Sequence, residues 1–380
     1  MKTIIDLFEE SVSKFPNNPF IWEKETNEFK STSYKETHED VLRLAAGLMS
    51  LGVRKGDKIA LLSEGRKLWV MSELAILYTG AVNIPLSIKL EGSDLYFRLE
   101  HSETTIIFVS GNQSSKIDSI RDKLPLINKV IYLDSRENMR ANDMIIEDLF
   151  KLGDEYLKEN RNKLIEASKA VQPNDYANIS YTSGTTADPK GIILSHRNYT
   201  ANVEQALTLM DIPEDYRTLI ILPLDHCFGH VAGIYSFMAM GASIGTVQVG
   251  KTPMDTLKNI PINIKEFKPN LMLSVPALAK NFKKNIESNI RAKGPTIEKL
   301  FNHALNLSYS YNKEGWNKGN GFTFIYKPLL WMYDAILFKK VREAFGGELD
   351  FFIGGGALLD IELQRFFYAI GINVSGVWSF

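Results

Sequence analysis

The stretch YTSGTTADPKG at residues 181–191 is the most informative part of this 380-residue chain. It combines two glycines and Lys190 with four hydroxyl side chains, namely Thr182, Ser183, Thr185 and Thr186. The preceding residues YANIS predict a strand, after which glycine lets the backbone turn and approach a ligand closely. Backbone N–H groups in such a turn, with hydroxyls and a lysine, are suited to hold a polyphosphate. The alternative is a solvated loop rich in serine and threonine.

Outward from this stretch, short apolar runs bounded by turn residues alternate with helical patterns. The predicted strands are residues 57–63, 82–87, 104–110, 129–134, 176–181, 218–224, 242–249, 269–276 and 350–357. Strands that alternate with helices predict an α/β protein with parallel sheets of the doubly wound type. The charged segment 134–174 predicts a boundary between a first αβ subdomain at 1–174 and a second at 175–380.

The composition excludes several classes of protein. Lys and Arg total 44 against 45 for Asp and Glu, so the formal net charge of −1 favours neither nucleic acid nor an anionic membrane surface. The single cysteine, Cys227, allows no internal disulfide and fits a reducing cytoplasm. The N-terminal residues have charges within their apolar stretch, which predicts an amphipathic helix and not a signal peptide.

Two segments allow two readings each. Residues 227–250 lack Asp, Glu, Lys and Arg, which by length fits a membrane span, but their polar residues and glycines favour a buried helix followed by a buried strand. Residues 281–345 are helical in pattern and rich in aromatic side chains. We interpret them as a helical hairpin packed on the sheet, and the alternative is an apolar wall for a lipid-like ligand.

The string at 181–191 resembles the signature of the adenylate-forming superfamily, which includes acyl-CoA synthetases, firefly luciferase and peptide-synthetase adenylation domains. Other segments resemble the family in its order: IILSHRNYTANV at 192–203, ILPLDHCFGH at 221–230, SVPALAKNF at 274–282 and FFIGGGALLDIELQRFFYAIGINV at 351–374. The aromatic helical segment is most similar to the long-chain fatty acid CoA ligase branch. The resemblance covers nearly the whole chain, from residue 4 to about residue 374.

The resemblance implies two half-reactions. A carboxylate attacks the α-phosphate of ATP to give an acyl-adenylate, and the thiol of CoA then displaces AMP; Mg²⁺ neutralises charge. The implied β- and γ-phosphate ligands are Thr182, Ser183, Gly184, Thr185, Thr186 and Lys190, and Thr182 also helps to hold Mg²⁺. The implied adenine and acyl-chain passage is formed by Gly354, Gly355, Gly356 and Ala357. His226 would orient or gate the carboxylate, whereas we interpret His230 as a buried structural histidine and Cys227 as a packed thiol.

The last residues, SGVWSF, depart from the family pattern. The family continues with YGxTE, whose glutamate ligates Mg²⁺, and then with a ribose-binding aspartate, a barrel and a small C-terminal domain. We therefore expect an N-terminal portion with weak or no activity, arising from a frameshift, a fragment or a standalone module. The alternative functions are a catalytically inactive nucleotide- or acyl-binding module and a ligase for aryl or short-chain acids. The predicted location is the cytoplasm, with peripheral membrane contact left open, and the oligomeric state is not predicted.

Overall fold

The computed structural model describes residues 2–182, 189–313, 317–355 and 359–378, and for 375–378 the backbone alone. The strands are β1 (Pro19–Glu25), β2 (Glu28–Ser33), β3 (Lys58–Leu62), β4 (Val82–Pro85), β5 (Ile106–Val109), β6 (Lys129–Tyr132), β7 (Met144–Ile145), β8 (Tyr176–Tyr181), β9 (Gly191–Ser195), β10 (Arg217–Ile220), β11 (Ser243–Thr246), β12 (Leu271–Ser274), β13 (Phe351–Gly355) and β14 (Asn373–Trp378). Each strand predicted from the sequence overlaps one of these.

The α-helices are α1 (Ile4–Lys14), α2 (Tyr34–Ser50), α3 (Lys67–Tyr78), α4 (Gly92–His101), α5 (Ser114–Ile120), α6 (Ile146–Lys169), α7 (His196–Leu209), α8 (Ser236–Ala239), α9 (Pro253–Phe267), α10 (Pro276–Ala292), α11 (Pro295–Asn312), α12 (Lys327–Tyr333), α13 (Lys339–Glu343) and α14 (Ile361–Ala369). Short 3₁₀ helices lie at Gly111–Gln113, Arg121–Lys123 and Gly321–Tyr326, and π-helical turns lie at Gly229–Tyr235 and Asp334–Phe338. Helix α6 is kinked at Asn160, whose backbone leaves the helical region.

The chain forms two compact units, one of residues 1–215 and 223–256 and one of residues 216–222 and 257–380. In the first unit seven strands lie in the order β7-β6-β5-β3-β4-β8-β9, and all neighbours are parallel except β8 and β9. Strands β3 to β6 are almost wholly buried apolar runs, as parallel strands covered by helices require. Because β8 pairs with β4, the strand from residue 176 extends the sheet of the first unit. The division at residue 174 stays a prediction.

The remaining strands form two further groups. In the first unit β1 pairs in parallel with β11 and antiparallel with β2. In the second unit β10, β12, β13 and β14 lie side by side, and all are parallel. Within the described ranges the strands form open sheets and not a closed barrel. The structure thus confirms the predicted α/β class with mostly parallel strands.

Helix packing in the first unit depends on small residues at one crossing. A Cβ atom added to Gly153 of α6 would lie 1.9 Å from the carbonyl oxygen of Arg43 in α2, and one added to Gly47 would lie 2.5 Å from that of Leu149. Two helix backbones therefore touch without intervening side chains. Helix α3 differs because Trp69–Tyr78 is buried on every side, which places Glu73 in an apolar interior.

The apolar segment 227–250 is a buried helix followed by a buried strand, as the sequence analysis favoured. It runs through the π-helical turn Gly229–Tyr235 and α8 into β11. Among the described residues, no helix has both the length and the apolar character needed to cross a bilayer.

Candidate functional site

A β-hairpin holds the ends of the segment that the sequence analysis singled out. Strand β8 runs beside β4 with Asn178 opposite Asn83, and β9 returns antiparallel so that Gly191 lies opposite Tyr181. One step beyond that pair, the backbone N–H of Thr182 donates to the carbonyl oxygen of Lys190 at 3.1 Å. The loop therefore starts and ends at the carboxyl end of a parallel strand, the edge where α/β sheets bind ligands.

The described phosphate-site residues are accessible. The side chains of Thr182 and Lys190 are both exposed at the mouth of this hairpin. Thus a hydroxyl and an ammonium group are available on the two arms of the same loop. The other predicted ligands, Ser183, Gly184, Thr185 and Thr186, lie outside the described residues.

Neighbouring residues fix the base of the hairpin. The Tyr181 hydroxyl lies 2.9 Å from Nδ1 of His101, and the Arg98 guanidinium lies 5.8 Å from the centre of the Tyr181 ring. A Cβ atom at Gly191 would lie 3.0 Å from Ile179 and 3.4 Å from the Tyr181 ring. Glycine therefore leaves room for the tyrosine that ends β8.

His226 lies in a surface turn. Its side chain is 64% exposed, and Nε2 is 3.9 Å from the nearer carboxylate oxygen of Asp225. Its carbonyl oxygen accepts a hydrogen bond of 2.9 Å from the N–H of Gly229. The backbone is thus held while the imidazole can change rotamer, which suits the predicted orienting or gating role. That role stays a prediction.

His230 is wholly buried, as its interpretation as a structural histidine required. Its Nε2 lies 2.6 Å from the carbonyl oxygen of Leu224, and its Nδ1 lies 2.9 Å from Oε1 of Glu73. Burial lowers the pKa of His230, but the charge of Glu73 and the hydrogen bonds outweigh burial and raise it above its ordinary value. The single carboxylate of the largely apolar helix α3 was the available signal for this pair, since such a group needs a buried partner.

Cys227 is partly buried next to His226. Burial raises the pKa of its thiol, which keeps the thiol protonated and unreactive. The structure is therefore consistent with the packed thiol that the sequence predicted.

The predicted adenine-side glycines belong to the second unit. Gly354 and Gly355 are the last residues of β13, both are buried, and Gly354 lies opposite Ser274 of β12. A Cβ atom built on Gly354 would have Leu359 as its nearest neighbour, at 3.8 Å. Among the described residues, a Cβ atom at Gly354 would therefore make only an ordinary van der Waals contact. Gly356 and Ala357 lie outside the described residues.

The aromatic segment splits into buried and exposed side chains. Phe301, Tyr333 and Phe338 are buried, and Phe301 and Phe338 meet edge to face at 5.9 Å. This part is the packed helical hairpin that the sequence analysis favoured. Phe322 and Trp331, in contrast, are 92% and 76% exposed.

No cluster of three or more His, Cys, Asp or Glu side chains suited to a metal ion occurs within the described ranges. The assignment of Thr182 as a protein ligand to Mg²⁺ stays a prediction. Such a sparse donor set is chemically reasonable, because Mg²⁺ usually keeps several waters and binds through substrate phosphates.

Comparison with known proteins places these features in a family. The model of the family described as AMP-binding enzyme matches residues 8–379. Long chain acyl-CoA synthetase 3 of Arabidopsis thaliana is 27% identical over 379 residues, which cover 95% of this chain and 54% of that protein. Long-chain-fatty-acid--CoA ligase 5 of Rattus norvegicus is 26% identical over 395 residues, covering 100% and 54%. The chain thus spans about half the length of the curated relatives it matches.

Solved structures show the same fold. An anthranilate CoA ligase, AuaEII, in complex with anthranoyl-AMP superposes with a TM-score of 0.71 at 16% identity, over 100% of this chain and 60% of that one. The N-terminal domain of FACL13 from Mycobacterium tuberculosis superposes with a TM-score of 0.64 at 18% identity, over 98% and 75%. These neighbours confirm the predicted fold of the adenylate-forming N-terminal domain. Because the family model matches almost its full length, the chain belongs to the AMP-binding enzyme family.

Proposed function

We propose that this chain is the AMP-binding portion of a long-chain acyl-CoA synthetase. In the proposed reaction a fatty acid carboxylate attacks the α-phosphate of ATP, pyrophosphate leaves, and the thiolate of CoA then displaces AMP to give the thioester. The names of the curated relatives support the substrate class. The hairpin that joins Thr182 to Lys190 at the end of a parallel strand is the observation that carries the proposal.

Each predicted site residue has a role in this proposal. Thr182, Ser183, Gly184, Thr185, Thr186 and Lys190 bind the terminal phosphates of ATP. Thr182 also supplies one oxygen to Mg²⁺, which when bound offsets the charge that the phosphates bring together. Bringing a carboxylate to a polyphosphate is chiefly a matter of position and charge, which this loop would provide. His226 orients the carboxylate, and the strand end at Gly354, Gly355, Gly356 and Ala357 passes close to the adenine and the acyl chain.

Titration of the chain with ATP and MgCl₂ by calorimetry tests the phosphate site. We expect Lys190→Ala to weaken ATP binding ~10- to 100-fold, because a charge-assisted phosphate contact is lost. Thr182→Ala should weaken binding less. Lys163→Ala is the matched control, since Lys163 is an exposed lysine on α6 of the same unit. Equal affinities for the wild type and Lys190→Ala would contradict the proposed site.

Substitution at Gly354 tests the adenine side. Of the residues that the structure describes, none has an atom closer than 3.8 Å to a Cβ atom built there, so Gly354→Ala should leave thermal stability nearly unchanged. If the adenine lies against this backbone, the added methyl group should still weaken ATP binding about 10-fold or more. Unchanged ATP affinity in a stable Gly354→Ala variant would remove Gly354 from the site.

ATP–pyrophosphate exchange with palmitate, oleate and benzoate tests the substrate class. Exchange with palmitate or oleate above benzoate supports a long-chain acid. Exchange with benzoate alone supports the aryl alternative. ATP binding without exchange supports a nucleotide-binding module with no adenylation activity in this chain.

We also propose the cytoplasm as the location, with peripheral contact to an anionic bilayer. Six exposed apolar side chains between residues 322 and 336 make up what we call the aromatic face: Phe322, Phe324, Ile325, Trp331, Met332 and Ile336. Exposed lysines flank this face at positions 318, 327, 339 and 340. Among the described residues 317–340 the one acid is Asp334, whose carboxylate binds the Arg342 guanidinium at 2.6 and 2.8 Å. An apolar face with aromatic residues and a cationic border complements anionic lipid.

Sedimentation with vesicles tests this contact. The anionic vesicles contain about one third phosphatidylglycerol in phosphatidylcholine, which gives a strong surface charge. We expect the chain to bind them more strongly than vesicles of pure phosphatidylcholine, and we expect salt to reduce this binding. The double variant Phe322→Ser/Trp331→Ser should lose binding. Leu209→Ser is the control, because Leu209 is 73% exposed but lies in the first unit. Equal binding by the double variant and the wild type would refute the aromatic face as the contact.

A further inference from the structure

A buried ion pair lies directly beneath the turn that carries His226. Glu73 of α3 and His230 of the π-helical turn are both fully buried, and their carboxylate and imidazole atoms approach to 2.9 Å. A buried ion pair is a poor device for stability alone, because desolvation offsets much of its attraction. The pair lies next to the predicted site residue His226, where it can hold the backbone of the turn in place.

The two ring nitrogens of His230 both face acceptors. Nδ1 faces the Glu73 carboxylate, and Nε2 faces the carbonyl oxygen of Leu224 at 2.6 Å. Carboxylate and carbonyl oxygens only accept, so the imidazolium, with an N–H at each nitrogen, is the form that can donate to Leu224 and also face the charge of Glu73. Residue 224 is two positions before His226, so this hydrogen bond fixes the start of the turn.

The rest of the turn is closed by backbone contacts. The N–H of Gly229 donates to the carbonyl oxygen of His226 at 2.9 Å. A Cβ atom on Gly229 would lie 2.9 Å from the carbonyl oxygen of Pro223, so the backbone at the start of the turn packs directly against the backbone at its end. With its start bound by His230 and its end bound by Gly229, the turn has little freedom except at the exposed imidazole of His226.

The same carboxylate also contacts the sheet that leads to the phosphate loop. The side-chain amide of Asn83 donates to Oε1 of Glu73 at 3.1 Å. Asn83 lies in β4 and pairs with Asn178 of β8, the strand that continues to Thr182. Glu73 thus joins the His226 turn to the strand behind the phosphate loop through one oxygen atom.

We propose that His230 is a positioning residue that holds the backbone of the His226 turn, and that Glu73 keeps its imidazolium in place. This inference rests on the proposed function, because it assigns His226 to the carboxylate. It predicts that the hydrogen bond from Nε2 to Leu224 matters for adenylation beyond any effect on folding.

Aromatic rings surround the imidazole of the pair within the part of the chain that the structure describes. The rings of Trp69, Tyr199 and Tyr235 lie 5.3, 5.7 and 6.0 Å from the imidazole. Burial, with the charge of Glu73 as the second cause, holds the pKa of Tyr199 and Tyr235 well above the ordinary value, so both phenols stay neutral. Asp225 is the second acid whose charge favours the imidazolium.

Two substitutions at His230 separate its two hydrogen bonds. The amide nitrogen of glutamine can take the place of Nε2, so His230→Gln keeps a donor for Leu224 and loses the contact with Glu73. The amide nitrogen of asparagine can take the place of Nδ1, so His230→Asn keeps the contact with Glu73 and loses the bond to Leu224. His196→Gln is the control, because His196 is the other fully buried histidine of the described residues and its Nδ1 contacts the N–H of Ile4.

Hydrogen–deuterium exchange of peptides that cover residues 222–230 measures the turn directly. We expect His230→Asn to lose about 10-fold or more of the protection there, with His230→Gln close to the wild type and His196→Gln unchanged in this region. In ATP–pyrophosphate exchange with the preferred acid, we expect the rate constant of His230→Asn to fall ~10- to 100-fold while the Kd for ATP stays the same. His230→Gln should recover most of this rate.

Equal loss in both His230 variants would show a general packing role and would overturn the proposal, as would no loss in either. If His230→Asn does not fold, His230→Gln still decides, since it keeps a donor for Leu224 and must keep the protection of the turn; loss of protection in a folded His230→Gln variant would overturn the proposal. A wild-type chain with neither ATP binding nor exchange activity would contradict the proposed function. The protection of residues 222–230 would then still test whether His230 holds the turn.

Discussion

Replacement of Glu73 by glutamine removes one charge from the buried pair and keeps its size. In the wild type, the pKa of His230 is raised above its ordinary value because the attraction of Glu73 and the hydrogen bonds exceed the cost of burial. In Glu73→Gln the cost of burial remains while the attraction is gone, so the pKa of His230 should fall below its ordinary value. The variant should therefore keep His230 neutral at a pH where the unfolded chain is protonated.

The size of the effect follows from proton linkage. At pH 7.5 a neutral His230 can still donate to Leu224, so the loss should be that of one hydrogen bond in a buried site, about 1–2 kcal/mol. At pH 5.5 the unfolded histidine, with a pKa of about 6.5, gains roughly 1.4 kcal/mol by protonation that the folded variant cannot match. In the wild type, the free energy of unfolding should instead rise as the pH falls. The raised pKa of folded His230 contributes stability that is fully present below about pH 6.5 and is lost as the pH rises through the folded pKa. The deficit of the variant should thus be at least about 1.4 kcal/mol greater at pH 5.5 than at pH 7.5.

Urea unfolding of both proteins at pH 5.5, 6.5 and 7.5, followed by circular dichroism, measures this difference. The slopes of the unfolding curves should agree between the proteins, which checks that the same surface is exposed. A deficit that stays constant or shrinks toward acid pH would refute the reasoning. It would mean that His230 is neutral in the wild type and that the contact with Glu73 is not an ion pair.

Three further results are expected. Gly153→Ala should lower the free energy of unfolding by about 3 kcal/mol in urea titrations, because the new methyl group would lie 1.9 Å from the carbonyl oxygen of Arg43. Ser195→Ala should lower the free energy of unfolding by about 1 kcal/mol, because the Ser195 hydroxyl accepts a hydrogen bond from the N–H of Asn198 at the start of α7. A matched Ser195→Asp variant should retain most of this stabilisation. His196 should titrate in NMR spectra with a pKa of about 4, because burial outweighs the charge of Asp175. Because this pKa is lowered, His196 should contribute a loss in the free energy of unfolding as the pH falls below about 6.5. His196→Gln should reduce this dependence of the free energy of unfolding on pH.

Local patterns were sufficient for most of the strands and for the class of fold. The run KIALL became β3 and IIFV became β5, because fully buried parallel strands need apolar residues on both faces. Strand β9 and the hairpin of β1 and β2 were not predicted. In β9 the apolar side chains of Ile192 and Ile193 are half exposed, and β2 has almost no buried residue, so neither has the pattern of a core strand. Their pairing depends on neighbours in the sheet.

The site shows the same division between local and distant information. The strand that precedes the phosphate loop was predictable because its signal lies in consecutive residues. The pair of Glu73 and His230 was not, because each residue is ordinary in its own segment and the contact depends on how α3 packs against the π-helical turn. A carboxylate in a helix that is apolar on every side was a hint that a partner exists, but it does not reveal which residue that partner is.

The return of β9 onto β8 has a consequence for how this protein can change. The hydrogen bond between Thr182 and Lys190 sets the distance between the two ends of the connection 183–189, whatever residues that connection contains. Because the entropic cost of a longer loop grows slowly with its length, insertions or exchanges between these anchors should be tolerated by the sheet. The residues of this connection should therefore be exchangeable while the hairpin that anchors them is kept. Sequences taken from other adenylate-forming proteins should be accepted there without redesign of the surrounding fold.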